Sequence, residues 1–226
     1  MLYQDRTHAG KVLAAELSQF ANRTDVLILA LPRGGVPVAF EIAQKLNLPL
    51  DVFIVRKLGV PGQEELAMGA IASGGARVIN YGVVKALKIS DSAINEVAKR
   101  EALELERREL SYRSNRRPHA LDAMEVILVD DGLATGASMK AAVRAVKMLN
   151  AKKIYVAVPV AEREVALEIR AEVDQMFCAE TPSPFQGVGQ WYKNFSQTSD
   201  EEVTELLSLA DRKAPQAMPA QKHSNR

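Results

Sequence analysis

The segment Val126-Ile127-Leu128-Val129-Asp130-Asp131-Gly132-Leu133-Ala134-Thr135-Gly136-Ala137-Ser138 constrains the fold more than any other part of the chain. Four branched apolar residues in succession leave no polar face, which is the pattern of a central parallel strand covered on both sides. Met139, Val143, Val146 and Leu149 then recur at helical spacing, so a short loop must carry the chain from strand to helix. Such junctions, at the carboxyl ends of parallel strands, are where α/β proteins hold ligands.

The loop has its own chemistry. Gly132 and Gly136 permit unusual backbone angles, so successive N–H groups can converge on an anion with help from the positive end of the following helix. Thr135 and Ser138 add hydroxyl donors. Asp130 and Asp131 would repel a phosphate and instead accept hydrogen bonds from hydroxyls or hold Mg²⁺. A phosphorylated sugar meets both demands. Other nucleotide motifs are absent: there is no G-x-x-x-x-G-K-[ST], and no G-x-G-x-x-G follows a strand.

The rest of the chain supplies repeated strand-helix units. Helical spacing marks Thr7 to Asn22, with Thr7 or Asp5 as N-cap, and apolar runs mark strands at Val26 to Leu31, Leu50 to Val55, Lys153 to Val160 and Gln175 to Glu180. Helices are expected from Val36 to Leu46, Ser90 to Arg116 and Glu162 to Val173. In the long Ser90 to Arg116 helix, Ile94, Val97, Leu103, Leu105 and Leu110 form an irregular apolar stripe. Gly59 to Glu65 has no apolar period and reads as an exposed, mobile loop, whereas Met68 to Ala72 and Arg77 to Tyr81 flank Ser73-Gly74-Gly75 as a β-hairpin. The expected fold is α/β, a mainly parallel twisted sheet with helices on both faces.

A chain of 226 residues, 47% hydrophobic, can bury one sizeable core. We expect one domain over residues 1–213, with its core at about 26–180 and a C-terminal cap at about 181–213. In that cap, Ser199 or Asp200 opens a short helix containing Val203, Leu206, Leu207 and Ala210; the polar residues 214–226 read as a disordered tail. Phe185, Trp191, Tyr192 and Phe195 either seal the end of the core or offer a stacking surface for a planar ligand. With 29 Lys+Arg against 28 Asp+Glu, the charge balance gives no sign of nucleic-acid binding, and no segment reads as a signal peptide or membrane span. One cysteine, Cys178, excludes an intrachain disulfide and fits a reducing, cytoplasmic setting; its apolar neighbours suggest a structural thiol. His8, His119 and His223 show no zinc spacing.

From Val126 to Ser138 the chain resembles the type I phosphoribosyltransferases, whose signature is four apolar residues, two acids, three variable residues, Thr-Gly and a closing Thr or Ser. The resemblance implies that Asp130 and Asp131 engage the ribose hydroxyls of phosphoribosyl pyrophosphate (PRPP), while Gly132, Leu133, Ala134, Thr135, Gly136, Ala137 and Ser138 bind its 5′-phosphate. Leu31-Pro32-Arg33-Gly34-Gly35-Val36 resembles the family's pyrophosphate loop, with Arg33 beside the backbone of Gly34 and Gly35. Arg56 and Lys57 resemble the basic residues that some members direct at pyrophosphate from a flexible catalytic loop. Glu64 and Glu65 read as solvated loop charges, the alternative being a proton acceptor toward the incoming base.

The activity implied is Mg²⁺-dependent transfer of 5-phosphoribosyl from PRPP to a nucleobase or related nitrogen heterocycle, with release of pyrophosphate. A catalytic set of Asp130, Asp131, Lys57 and Arg33 follows from the resemblance, with Mg²⁺ held directly or indirectly by the two acids. Hypoxanthine-guanine enzymes usually place an acid where this chain has Ala134, so that acceptor is disfavoured. Family members are often homodimers. The alternatives are a non-catalytic PRPP or nucleotide sensor, and a phosphoribosyl hydrolase.

Overall fold

A computed structural model describes residues 2–113 and 118–213. Five strands, β1 (Val26–Ala30), β2 (Leu50–Val52), β6 (Glu125–Val129), β7 (Lys153–Val160) and β8 (Gln175–Glu180), form one parallel sheet in the order β2-β1-β6-β7-β8. Strand alternation divides the core in two. Ile28, Ala30, Ile127 and Val129 pack with residues of α1 (Arg6–Glu16), α2 (Gly35–Leu46) and α7 (Asp200–Lys213). Leu27, Leu29, Val126 and Leu128 pack instead with α5 (Ala137–Met148) and α6 (Arg163–Arg170). The continuous apolar runs are thus consumed on both faces, as the parallel reading requires.

Several boundaries differ from the sequence reading for local reasons. The Leu50 to Val55 run splits: the backbone N–H of Ile54 bonds Ser73 Oγ at 2.9 Å, and the chain passes into a three-stranded antiparallel sheet. This sheet contains β3 (Val55–Val60), β4 (Gln63–Ala72) and β5 (Arg77–Ile79), in that order. Residues 59–65, expected as a loop, are the bulged end of the β3-β4 hairpin around Pro61-Gly62. Gly59 is needed there, since a Cβ would lie 2.6 Å from the Glu64 carbonyl oxygen. Polar side chains on both strands hide the hairpin from a search for apolar alternation.

The β4-β5 hairpin forms as expected, but Tyr81 begins a short helix, α3 (Tyr81–Ala86), whose N-cap Asn80 accepts from the Val83 N–H. The first helix stops at Glu16 and continues as a 3₁₀ turn over Ser18–Phe20. Asp5 is its cap, accepting from the His8 N–H at 2.8 Å. Glu162 caps α6, which ends at Arg170 rather than Val173. Helix α4 (Asp91–Arg113) buries Ile94, Val97 and Leu105 but exposes Leu103 and Leu110, so only part of the proposed stripe faces the core. The expected end of that helix at Arg116 and the tail at 214–226 lie outside the described residues. Ser199 Oγ accepts the Glu202 N–H at the start of α7. Among the described residues, no helix is long and apolar enough to cross a membrane.

Candidate functional site

Pairing of Ala30 with Val129 makes β1 and β6 end side by side, so the loops that follow them leave the sheet together. The Leu31 N–H donates to the Val129 carbonyl at 2.9 Å, extending that pairing into the first loop. Two glycines then let the loops touch. A Cβ at Gly35 would lie 2.6 Å from the Val129 oxygen, and one at Gly34 would lie 2.1 Å from Asp131 Oδ2. Gly34 has an ordinary helical φ of −59°, so it is glycine for proximity and not for backbone freedom. The Pro32–Arg33 peptide between the strand and these glycines is cis.

The acid pair is held from several directions. The Asp131 N–H donates to Asp130 Oδ1 at 2.9 Å, while Asp131 Oδ2 receives both Nε and Nη2 of Arg6 at 2.8 Å. Tyr192 donates its hydroxyl to the Asp131 carbonyl at 2.6 Å. Burial raises the Asp130 carboxyl well above its ordinary range, and the neighbouring charge of Asp131 raises it further. Asp131 is also raised by burial, with Arg6 opposing the change. Two close, desolvated carboxylates with one cation are poorly matched to themselves, but well matched to hydroxyl donors.

Beyond the acids, Leu133 is buried and fixes the loop to the end of β7: its N–H donates to the Val160 oxygen and its oxygen accepts from the Glu162 N–H, both at 2.9 Å. Gly136 stands at the N-cap of α5 with φ 67°, a left-handed conformation that disfavours residues with a side chain. No acidic side chain occupies the first turn of α5. Thr135, Ala137 and Ser138 are exposed there, giving an anion access to helix-start amides and hydroxyls. Leu133 therefore anchors the loop, and Ala134, Thr135, Ala137 and Ser138 are left exposed, Ala134 without charge.

The structure brings Gly34 and Gly35 against Asp130 and Asp131, but it engages the charged candidates elsewhere. Arg33 lies 3.6 Å from Asp200 of α7. Arg56 is paired with Glu101 of α4 at 2.6 Å, and Lys57 with Glu65 at 3.3 Å on the antiparallel arm. Glu65 is fully exposed, and Glu64 lies beside the Gly62 turn. Among the described residues, no group of three or more His, Cys, Asp or Glu could by itself hold a metal ion. Asp130 and Asp131 offer oxygen donors for Mg²⁺ only as part of a shell completed by substrate oxygens or water, a normal arrangement for that ion.

Sequence reasoning expected a C-terminal cap but missed the part that the N-terminal residues play in it. Tyr3 pairs with Tyr192 in a parallel bridge, and Asn194 donates its N–H to the Gln4 oxygen, so residues near 3–6 and 191–196 together form the cap. Tyr192 is buried and stacks against Tyr3, sealing the core, whereas Phe195 lies under the Arg6 guanidinium at 4.0 Å. Arg6 precedes Asp131 by 125 positions, and no local pattern marks it. Cys178 bonds the Glu180 oxygen, and burial pushes its thiol up to about 11, as expected of a structural cysteine.

The chain is 44% identical over 211 residues to proteins from two Mycobacterium tuberculosis strains that carry a provisional phosphoribosyl transferase name. The alignment covers 93% of this chain and 47% of theirs, so the chain spans about half the length of these curated relatives. A crystal structure of TT1426 from Thermus thermophilus superposes with a TM-score of 0.81 at 38% identity, over 92% of this chain and 98% of that one. A family model described as the phosphoribosyl transferase domain matches residues 3–193. The chain belongs to the phosphoribosyl transferase domain family.

Proposed function

We propose that the protein transfers 5-phosphoribosyl from PRPP to a nucleobase or related nitrogen heterocycle and releases pyrophosphate in a Mg²⁺-dependent reaction. The observation that carries this reading is the seating of Gly34 against Asp131. It sets a loop suited to pyrophosphate directly beside an acid pair suited to ribose hydroxyls, with the open start of α5 completing a phosphate site.

In the reaction the anomeric C–O bond breaks and its electron pair leaves with pyrophosphate; the acceptor nitrogen donates a pair to the sugar carbon and gives up its proton to solvent. The sugar gains positive charge as the bond breaks. Asp130 and Asp131 hold its hydroxyls and place negative charge near that centre, while the α5 loop anchors the 5′-phosphate so that the carbon is aligned for attack. Arg33 and the amides of Gly34 and Gly35 receive the leaving group. Asp130 and Asp131 would hold Mg²⁺ directly or through water, and the ion would supply countercharge for pyrophosphate. Arg56 and Lys57 would serve the leaving group only after giving up Glu101 and Glu65.

The test is pyrophosphate release from PRPP with a panel of bases and a no-base control, with Mg²⁺ present or removed by chelation. Base-dependent and Mg²⁺-dependent release is expected. PRPP binding without turnover across the panel would make the protein a sensor, and base-independent release would make it a hydrolase.

A further inference from the structure

We infer that Arg6 is a positioning residue for ribose recognition, acting through Asp131 as a strut between the cap and the donor site. The inference rests on the reading of the acid pair as the ribose-binding group. Arg6 lies at the first turn of α1, remote in sequence from every motif, yet its side chain is only 11% exposed. Its Nε and Nη2 meet Asp131 Oδ2, and its Nη1 donates to the Ser196 oxygen at 2.7 Å. One face of the guanidinium rests on Phe195. A planar cation held at an edge and on a face has little rotational freedom, so it transmits its placement to the carboxylate.

The cap grips Asp131 at a second point, through the Tyr192 hydroxyl on its carbonyl oxygen. Side chain and backbone of one acid are therefore fixed by two residues far apart in the chain. Arg6 occupies Oδ2, on the side toward Gly34, and its bonds stop the carboxylate from rotating. The remaining carboxylate lone pairs are left in a defined direction, where they can accept sugar hydroxyls. Arg6 touches no reacting atom; its contribution is the direction in which Asp131 points.

The test uses the full chain and calorimetric binding of ribose 5-phosphate, 2-deoxyribose 5-phosphate and inorganic phosphate, with thermal melting as a folding control. Wild type should favour the ribose compound over its deoxy analogue by about tenfold, the scale of one hydrogen bond to a charged group. Arg6→Met keeps an apolar stem over Phe195 but removes the guanidinium. It should cut that preference to about twofold while leaving inorganic phosphate affinity unchanged. Arg6→Lys keeps the charge without the paired Nε and Nη2 contacts and should give an intermediate preference. Adding Arg6→Met to Asp131→Asn should cause no further loss, because both changes remove one shared interaction.

An unchanged ribose preference in Arg6→Met, or full wild-type preference in Arg6→Lys, would overturn the strut. So would an equal loss for all three ligands, which indicates a general structural role. If wild type itself does not distinguish the two sugars, the ribose-binding reading of the acid pair falls along with the inference. Should Arg6→Met fail to fold, Arg6→Lys and Tyr192→Phe decide: the latter should lower the sugar preference without weakening phosphate, and failure to do so counts against the cap's grip on Asp131.

Discussion

The two ends of β6 each carry acid, and they are treated in opposite ways. At the amino end, Glu125 is buried but accepts from the Tyr155 hydroxyl and meets Arg23 Nη2, both at 3.0 Å, with Lys152 at 3.7 Å. The Arg23 hydrogen bond holds its carboxyl below the usual range. At the carboxyl end, Asp130 is pushed up by burial and then by Asp131, and Arg6 reaches only Asp131. The contrast separates two uses of a buried acid. Glu125 is satisfied by the fold; Asp130 is arranged for something the fold does not supply.

The largest break in this comparison should come from Asp130→Asn combined with Asp131→Asn. On the proposed mechanism, donor-dependent turnover should fall about a thousandfold or more, because hydroxyl orientation and charge near the cationic carbon would both be lost. Thermal melting should show only a small net change, since relief of the like charges in a desolvated site offsets the loss of Arg6's partner at Asp131. Unchanged turnover would remove both residues from the mechanism.

Next in size, Asp51→Ala tests a second satisfied acid, on β2. Burial alone would raise Asp51, but the hydrogen bond from His119 and the charge of Arg113, whose Nε lies 2.9 Å away, outweigh it and lower the carboxyl below its ordinary value. A lowered folded-state value contributes stability above the unfolded value of about 3.9, which is lost as pH falls through the folded one. Urea unfolding at pH 7 should show a cost of about 3 kcal/mol in the variant, as for a broken buried ion pair. The difference from wild type should shrink below about pH 4; a constant difference would remove ionisation from the explanation.

Gly34→Ala should follow, with donor KM raised about tenfold or more as the new methyl displaces Asp131 by an ångström or so. Steady-state kinetics with an unchanged donor KM would show that the contact is not needed. The smallest effect is expected from Glu125→Gln. Chemical denaturation should reveal a loss of about 1–2 kcal/mol from weakened bonds to Arg23 and Tyr155, with donor binding unaffected. A comparable loss of donor affinity would erase the distinction between the two ends of the strand.

Much of the fold was legible because its signals are local. Lys153–Val160 and Gln175–Glu180 form strands over the same bounds read from their apolar runs. The β3-β4 arm escaped because its backbone pairing is not accompanied by apolar alternation at Gln63, Glu64 and Glu65, which are exposed. In the candidate site, Arg33 to Gly35 and Asp130 to Ser138 are legible as strand-end loops, and the sheet makes the two loops neighbours. Arg6 carried no comparable signal, and Tyr192 was legible only as an aromatic of the cap, because what ties both to the site is their contact with Asp131.

The sequence by itself determined the buried parallel strands, the acid pair at the end of one of them and the glycine-hydroxyl loop that follows, because each is written in neighbouring residues. Only the tertiary structure decided that Gly34 makes room for Asp131, that Glu101 and Glu65 engage Arg56 and Lys57, and that the cap is built from residues near 3–6 and 191–196. Side-chain identity and local periodicity are properties of a short segment, whereas the room around a carboxylate and the charge beside it depend on which distant segments folding brings within a few ångströms.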